Sequence, residues 1–365
     1  MSTTATARVL NFSSGPAVMP MPVLEQIQRD IVSLPGVGMS ILEVSHRSKV
    51  FEEVIARAEA DLRALANIPS SYKVLFLQGG ASLQFSMVPL NLLTPGTTAD
   101  YIVTGSWTDK AAKEAKKVGL VNVAATSEAD NFSRIPRADE IALTPGAAYV
   151  HITSNNTIEG TQWHHLPEVG DAPLVSDASS DILCRPIDVA RHGLIFAGAQ
   201  KNLGPAGVTI VIVREDLLAR STKALHTMLN YAVQAENRSL YNTPPCFAIY
   251  GVGLVLNWLR GQGGLEAIGK TNDRKAHTLY AELDRTGFWR PTANKADRSL
   301  MNVTFRLSSE DLESRFVKES TAAGLDGLNG HRSVGGMRAS IYNAFPETGI
   351  DTLVEFMREF ERKNG

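Results

Sequence analysis

The sequence has few cysteines, little net charge and no long apolar run. Its 365 residues include two cysteines, Cys184 and Cys246, which form neither a disulfide framework nor a metal-ligand spacing. We therefore expect two reduced thiols with structural roles and no metal site. The formal net charge of −2 gives no reason to expect nucleic acid as a partner, because nucleic-acid binding depends on clustered positive charge.

Membrane insertion and secretion are not expected either. The longest apolar stretch, residues 246–256, is shorter than the ~20 helical residues that span a bilayer. Residues 1–10 contain one arginine and no apolar segment typical of a secretory signal. We therefore expect a cytoplasmic protein.

The apolar pattern predicts an α/β fold. Buried strands are predicted at residues 73–77, 101–103, 121–125, 149–153, 174–176, 194–197 and 208–213, and helices at 48–66, 81–93 and 108–118. Continuous apolar strands between helices are typical of a mainly parallel sheet that is covered on both faces. The sequence thus predicts a large domain with a mainly parallel seven-stranded sheet.

A second, smaller domain of α+β type is predicted toward the C-terminus. After helical segments at 247–260 and up to about 285, the pattern changes to strand 300–307, helix 309–323, strand 337–340 and helix 350–362. We divide the chain into an N-terminal arm (1–16) that contributes to the substrate site, a large domain (17–262) and a small domain (263–365). The pattern allows the second boundary to lie anywhere in 255–275.

Lys201 and Asp177 each follow or end an apolar run, and together they indicate pyridoxal phosphate (PLP) chemistry. A lysine amine forms a Schiff base with the aldehyde of PLP, and a carboxylate keeps the pyridine nitrogen protonated so that the ring accepts electrons. Two solvated charges on loops would give the same spacing. Other motifs decide between these interpretations.

Three further motifs follow predicted strands. Gly79-Gly80 opens a helix, where glycines and free N–H groups bind phosphate, although an ordinary turn has the same sequence. Trp107 could stack on a flat cofactor ring or belong to the core. Residues 154–161 carry hydroxyl and amide groups suited to a cofactor oxygen or phosphate, and a plain turn explains them equally well.

Cationic residues occur in two remote places. His46-Arg47 and His331-Arg332 are adjacent pairs, and Arg338 follows a glycine pair. Arginine binds carboxylate and phosphate through two parallel hydrogen bonds. The set indicates a substrate with two or three negative charges, while surface ion pairs are the alternative for any one arginine.

Taken together, these motifs resemble the phosphoserine aminotransferases, a family of class V, fold-type I PLP enzymes. The similarity runs over nearly the whole chain, and its most specific pieces are residues 11–16, 198–202, 241–245 and 331–338. At two positions the residues differ from those most common in the family. Cys246 stands where threonine often follows the two prolines, and residues 176–178 read Ser-Asp-Ala.

The resemblance implies a role for each matching residue. Lys201 matches the Schiff-base lysine, and Asp177 matches the partner of the pyridine nitrogen. The other cofactor-binding positions are Trp107 on the ring, Thr157 at the ring oxygen, and Gly80, Ala81 and Gln200 at the phosphate. Asn242 and Thr243 match residues that reach the cofactor phosphate of the other subunit of a homodimer. Ser14, Arg47 and Arg338 match contacts to the substrate carboxylates, and His46, His331 and Arg332 match phosphate-recognition residues.

The implied reaction is reversible amino transfer between L-glutamate and 3-phosphohydroxypyruvate, which gives O-phospho-L-serine and 2-oxoglutarate in serine biosynthesis. The sequence leaves open whether a four-carbon phosphorylated hydroxy-keto acid of pyridoxine synthesis is also a substrate. Another class V enzyme, such as an alanine–glyoxylate aminotransferase or a cysteine desulfurase, is the first alternative. A binding or regulatory protein on the same scaffold is the second.

Overall fold

The computed structural model describes residues 8–365, so residues 1–7 of the predicted arm lie outside the described part of the chain. The described residues form α-helices α1 Met21–Val32, α2 Lys49–Ala66, α3 Gly80–Leu92, α4 Ser106–Ala115, α5 Glu215–Leu218, α6 Tyr231–Glu236, α7 Cys246–Gly261, α8 Gly264–Leu283, α9 Glu310–Ala322 and α10 Glu347–Asn364. The strands are β1 Leu10–Asn11, β2 Tyr72–Leu77, β3 Thr98–Val103, β4 Leu120–Thr126, β5 Val150–Thr153, β6 Asn155–Asn156, β7 Thr161–Gln162, β8 Leu174–Asp177, β9 Leu194–Gly198, β10 Thr209–Arg214, β11 Arg290–Pro291, β12 Asn302–Arg306, β13 Leu325–Asp326 and β14 Met337–Ser340.

A seven-stranded sheet forms the centre of the large domain, as predicted. Its strand order is β2-β10-β9-β8-β5-β3-β4. β10 is antiparallel to both of its neighbours, and the other pairings are parallel. The prediction of a mainly parallel sheet is therefore confirmed.

Both faces of this sheet are buried at its inner strand β9, which explains why that strand has no polar side chain. Successive side chains of a strand point to opposite faces. In β9, Ile195 and Ala197 pack in the core that contains α2 and α7, whereas Leu194 and Phe196 pack in the core that contains α3 and α4. The two faces thus need apolar side chains in both registers.

The C-terminal residues build a second core around a small antiparallel sheet of order β11-β12-β14. Trp289 is 1% exposed and packs against Phe305 and Phe316 in edge-to-face geometry. Phe12 belongs to this core, and β1 pairs in parallel with β13. The N-terminal segment that the structure describes is therefore attached to the C-terminal core.

Two helices differ from the sequence expectation. α1 spans Met21–Val32, whereas the sequence pattern predicts no helix before residue 48. Proline is tolerated in the first turn of a helix because its missing N–H would have no intrahelical partner there. α8 spans both cores, since its first half contributes Leu265 and Ile268 to the large domain and its second half contributes Leu279 to the small one. Among the described residues, no helix has the length and apolarity that crossing a membrane requires.

Candidate active site

Six of the seven strands of the large sheet end at the same edge, and five of them carry candidate site groups there. β2 and β9 run in the same direction, because β10 lies antiparallel between them, and β3, β5 and β8 are parallel to β9 through their neighbours. This edge is where open α/β sheets bind ligands. The groups at these strand ends are Gly79-Gly80 after β2, Trp107 after β3, Thr157 after β5, Asp177 at the end of β8 and Lys201 after β9.

The Lys201 amine lies in the middle of this edge. Its Nζ donates a hydrogen bond to Oγ1 of Thr157 at 2.7 Å and lies 5.5 Å from the ring centroid of Trp107. Burial lowers the pKa of Lys201 to about 8, with Arg338 acting in the same direction and Asp177 against it. An amine with this pKa is available near neutral pH as a nucleophile and as a base.

Asp177 is a buried carboxylate, 4% exposed, with one oxygen held in place. Its Oδ1 accepts hydrogen bonds from the backbone N–H of Ser179 at 3.0 Å and from the Ser179 hydroxyl at 2.6 Å. Burial raises the pKa of Asp177, and the charge of Lys201 opposes this rise. Oδ2 has no hydrogen-bond partner, and Asp177 and Lys201 make no direct ion pair within residues 8–365. The space between a lysine amine and a free carboxylate oxygen suits the pyridine ring of PLP.

A glycine turn after β2, here called the anion cradle, lies at the same strand edge as Lys201 and Asp177. Gly79 and Gly80 have φ values of 88° and 63°, which L side chains rarely adopt, and they begin the 13-residue helix α3. Free N–H groups of a helix N-terminus bind phosphate. Ala81 continues this turn, and the Gln200 side chain lies over Gly198, where an added Cβ would be 3.0 Å from Gln200 Oε1. The cradle and the Lys201–Asp177 pair therefore fit the phosphate, aldehyde and ring nitrogen of one PLP molecule.

Arg338 supplies a buried cation beside Lys201. It is 9% exposed, its Nη1 donates to the carbonyl oxygen of Thr157 at 3.4 Å, and its Nε is buried without a partner. Burial lowers the pKa of the Arg338 guanidinium. A cavity of about 520 Å³ is lined by Arg338, His331 and Glu159. A buried guanidinium with unused donors, facing a cavity, can bind a carboxylate.

Glu159 is a site residue that the sequence reasoning missed. Its Oε1 accepts hydrogen bonds at 2.8 Å from both the backbone N–H and the hydroxyl of Ser106, the residue before Trp107. Burial raises the pKa of Glu159, and Oε2 is buried without a partner. The available signal was an acidic residue two positions after Thr157, within a run of small uncharged residues. Glu159 therefore fixes the start of α4 and with it the Trp107 backbone.

The segment around Ser14 lies beside the lysine. The Tyr342 hydroxyl donates to the carbonyl oxygen of Ser14 at 2.9 Å, and the Ala17 N–H donates to the carbonyl oxygen of Gln200 at 2.9 Å. A Cβ on Gly15 would lie 3.4 Å from Cγ of Lys201. Ser14 is thus brought near the lysine although the two residues are far apart in sequence.

The other predicted site residues are not brought to Lys201 by direct contacts. His331 and Arg332 lie on the loop between β13 and β14, where His331 Nδ1 and the Ser333 hydroxyl are 2.6 Å apart. His46 and Arg47 lie on the loop before α2, and Asn242 and Thr243 lie on the loop before α7. Within residues 8–365, no hydrogen bond or ion pair links any of these six residues to Lys201 or Arg338.

The chain belongs to the aminotransferase class-V family, which matches residues 9–353. Its strand-end geometry is that of a PLP-dependent aminotransferase of the α/β type. Within this class, the chain is similar to the phosphoserine aminotransferase of Desulfosudis oleivorans, with 57% identity over 360 residues that cover 98% of this chain and 99% of the relative.

Solved structures agree with this relationship. The phosphoserine aminotransferase of Bacillus circulans subsp. alkalophilus superposes with a TM-score of 0.97 at 53% identity, over 99% of this chain and 100% of that one. A PLP-bound phosphoserine aminotransferase from Trichomonas vaginalis superposes with a TM-score of 0.93 at 38% identity, over 96% of this chain and 100% of that one. The predicted family, fold and cofactor are confirmed.

Proposed function

We propose that this chain transfers the amino group of L-glutamate to 3-phosphohydroxypyruvate, giving 2-oxoglutarate and O-phospho-L-serine. The observation that carries this proposal is the Lys201 amine, which lies among Thr157, Trp107 and the buried Asp177 at one strand edge, with Arg338 beside it. The 57% identity to a phosphoserine aminotransferase over almost the full length supports the particular substrates.

Lys201 is the proposed attachment point for PLP and the proposed proton carrier. When PLP is bound, its ring supplies the electron sink for the carbanion that forms at the amino acid Cα. With the cofactor bound, the free Lys201 amine would act as the base that accepts the proton from Cα of glutamate. In the second half-reaction the same amine moves a proton in the opposite direction, onto the carbon that becomes Cα of the product.

The cofactor is held by groups at the strand ends. We assign Asp177 to the pyridine nitrogen, Trp107 to the ring face and Thr157 to the ring oxygen, and we assign Gly80, Ala81 and Gln200 to the phosphate. Asp177 is suited to its role because Ser179 orients one carboxylate oxygen and leaves the other free. A protonated ring nitrogen beside this oxygen would also offset the cost of burying the carboxylate.

The substrate is held by cations of two kinds. We assign Ser14, Arg47 and Arg338 to the carboxylates, with Arg338 the best supported because it lines a cavity and, like Lys201, donates a hydrogen bond to Thr157. We assign His46, His331 and Arg332 to the phosphate of the substrate. Histidine and arginine donors suit both a distal carboxylate and a phosphate, so one pocket serves glutamate and the phosphorylated keto acid in turn.

We further propose a homodimer in which Asn242 and Thr243 bind the cofactor phosphate of the partner subunit. Thr243 is exposed, and within residues 8–365 the Asn242 side chain donates only to the Thr243 carbonyl oxygen, at 3.1 Å, which leaves donors of both side chains for another molecule. The neighbouring Tyr241 is 45% exposed, as suits a residue that a second subunit covers.

The domain division also remains a proposal: an arm at 1–16, a large domain at 17–262 and a small domain at 263–365. The two apolar cores meet within α8, between Ile268 and Ala276, so the change of core lies a few residues after the proposed boundary. The free thiols of Cys184 and Cys246 support a reducing compartment, so we retain the cytoplasmic assignment as part of the proposal.

The cysteine desulfurase alternative is poorly supported. That chemistry needs a reactive thiolate, but Cys184 is buried, and burial raises its pKa to about 12. Cys246 begins α7 beside Pro245, and burial raises the pKa of its thiol as well. An aminotransferase for uncharged acceptors would have no use for the cation set of Arg338, His331 and Arg332.

The test is 2-oxoglutarate formation from L-glutamate by the PLP-loaded protein with three acceptors: 3-phosphohydroxypyruvate, unphosphorylated hydroxypyruvate and glyoxylate. We expect kcat/KM to be at least about 100-fold higher for the phosphorylated acceptor, since a pocket built for charge rejects the analogue that lacks it. Equal use of glyoxylate would transfer the assignment to another class V aminotransferase.

A further inference from the structure

Lys110 is a cation on α4, and the proposed reaction assigns no role to it. It lies three residues after Trp107, so the two side chains share one face of the helix. Its Nζ is 4.3 Å from the centroid of the Trp107 ring, and its side chain is exposed. Lys110 is thus a solvent-facing charge on the aromatic residue that we assign to the cofactor ring.

Two of the lysines near the end of this helix are paired with carboxylates, whereas Lys110 is not. Lys113 pairs with Asp109 at 2.6 Å, and Lys117 pairs with Glu114 at 2.7 Å. In the part of the chain that the structure describes, no carboxylate makes an ion pair with Lys110. Its charge is therefore available to a ligand, whereas those of Lys113 and Lys117 are already compensated.

The charge of Lys110 also acts on the proposed phosphate site. Burial lowers the pKa of His331, and Arg338, Lys110 and Arg332 lower it further, in that order. His331 thus lies in a field of three cations from three elements: strand β14, helix α4 and the loop before β14. Glu159 lines the same cavity and partly offsets the charge of Arg338, but within residues 8–365 no ion pair offsets Lys110 or Arg332. An excess of positive charge at the rim of a cavity attracts a polyvalent anion.

We propose that Lys110 is a specificity-determining residue that binds the phosphate of the acceptor from the α4 side of the site. The proposal rests on the proposed function, because it takes a phosphorylated keto acid as the second substrate. Contact with the Trp107 ring keeps the long lysine side chain close to the site, so less conformational entropy is lost on binding. A phosphate dianion gains more from this cation than the distal carboxylate of glutamate does.

The test compares Lys110→Met with Lys113→Met in the PLP-loaded enzyme, with KM measured separately for glutamate and for 3-phosphohydroxypyruvate. Methionine keeps an unbranched side chain on Trp107 and removes the charge. For Lys110→Met we expect the KM of the phosphorylated acceptor to rise about fivefold and that of glutamate less than about twofold, the scale of one exposed charge. Lys113→Met should leave the ratio of the two KM values, for the phosphorylated acceptor and for glutamate, as in the wild type.

Two further measurements separate the possible outcomes. In 0.5 M salt the difference between wild type and Lys110→Met should disappear, because exposed charges are screened. The PLP dissociation constant of Lys110→Met should match that of the wild type. An equal rise of both KM values, or a PLP affinity that falls with them, would show that Lys110 only supports Trp107 and would overturn the proposal. Failure of the wild type to use the phosphorylated acceptor would instead refute the proposed function.

Discussion

The strand-end groups and the cationic loops of this molecule are built in opposite ways. Asp177 and Thr157 are each at least nine-tenths buried, and hydrogen bonds from Ser179 and Lys201 fix them. Arg332 and Arg47 are exposed, and they lie on loops. The comparison indicates a division of labour in which buried strand ends perform the chemistry and exposed loops select the substrate.

This division has a physical reason. Proton transfer and electron withdrawal require groups with shifted pKa values and fixed positions, and burial provides both. Substrate selection requires cations that stay charged and that admit two different anions in turn, which favours solvated side chains on loops. Changes to the buried groups should therefore reduce both half-reactions, and changes to the loops should alter the choice of substrate.

The largest effect is expected at Lys201. Lys201→Ala removes both the attachment point and the proton carrier, so turnover should fall by at least about 1,000-fold. The measurement is steady-state production of 2-oxoglutarate, with circular dichroism as the control for folding. Turnover at the wild-type rate would remove Lys201 from the chemistry.

Asp177→Asn should have the second-largest effect. The amide keeps the shape of the side chain but cannot hold the ring nitrogen protonated, and we expect a loss of about 100-fold to 1,000-fold in kcat. Asp181→Asn is the matched control, because Asp181 is a neighbouring carboxylate that accepts from Gln162 at 3.0 Å and whose pKa burial also raises. Equal loss in the two variants would argue for a general effect of buried charge.

Cofactor loading should depend on pH through the pKa of Lys201, which is about 8. The unprotonated amine is the nucleophile, so the rate of PLP incorporation into the apoprotein should rise about tenfold per pH unit below 8 and level off above it. Stopped-flow absorbance between pH 6 and pH 10 measures this rate. A rate that keeps rising to pH 10 would show an amine with an unshifted pKa.

Gly80→Ala should have the smallest effect. Gly80 has a φ of 63° and open space around its Cα, so alanine adds backbone strain without a clash. We expect PLP to bind about fivefold more weakly, measured by fluorescence titration. Gly146→Ala is the control, since Gly146 has a φ of 69° and equally open surroundings but lies away from the site. That variant should share any loss of stability and keep the wild-type PLP affinity.

The sequence predicts the buried part of the site, around Asp177 and Lys201, better than the exposed loops around Arg47 and Arg332. Asp177, Thr157 and Lys201 lie at or just after the ends of apolar strands. Parallel strands have their carboxyl ends at one edge of the sheet. The strand pattern is therefore consistent with these three residues lying close together. The charges of His46 and Arg332 indicate an anionic substrate, but only the family resemblance assigns them to its phosphate and assigns Asn242 to the partner subunit's cofactor. Loop positions depend on tertiary contacts that hydrophobic periodicity does not encode.

The misses have identifiable causes. Glu159 acts through a hydrogen bond to Ser106, and no local rule links these two positions. β1 near the N-terminus pairs with β13 in the C-terminal core. Each strand has only two residues, which is too short for a hydrophobic pattern to predict it. The start of α1 was obscured by Pro20 and Pro22, although proline is compatible with a first turn.

The division of labour is tested most directly by measuring the two half-reactions separately in Arg332→Ala. Conversion of the PLP form by glutamate and of the amino form by 3-phosphohydroxypyruvate can each be followed by single-turnover absorbance. We predict that the reaction with the phosphorylated acceptor slows about tenfold or more, because a charged hydrogen bond to phosphate is lost, and that the reaction with glutamate slows less than about threefold. An equal loss in both half-reactions would contradict the account.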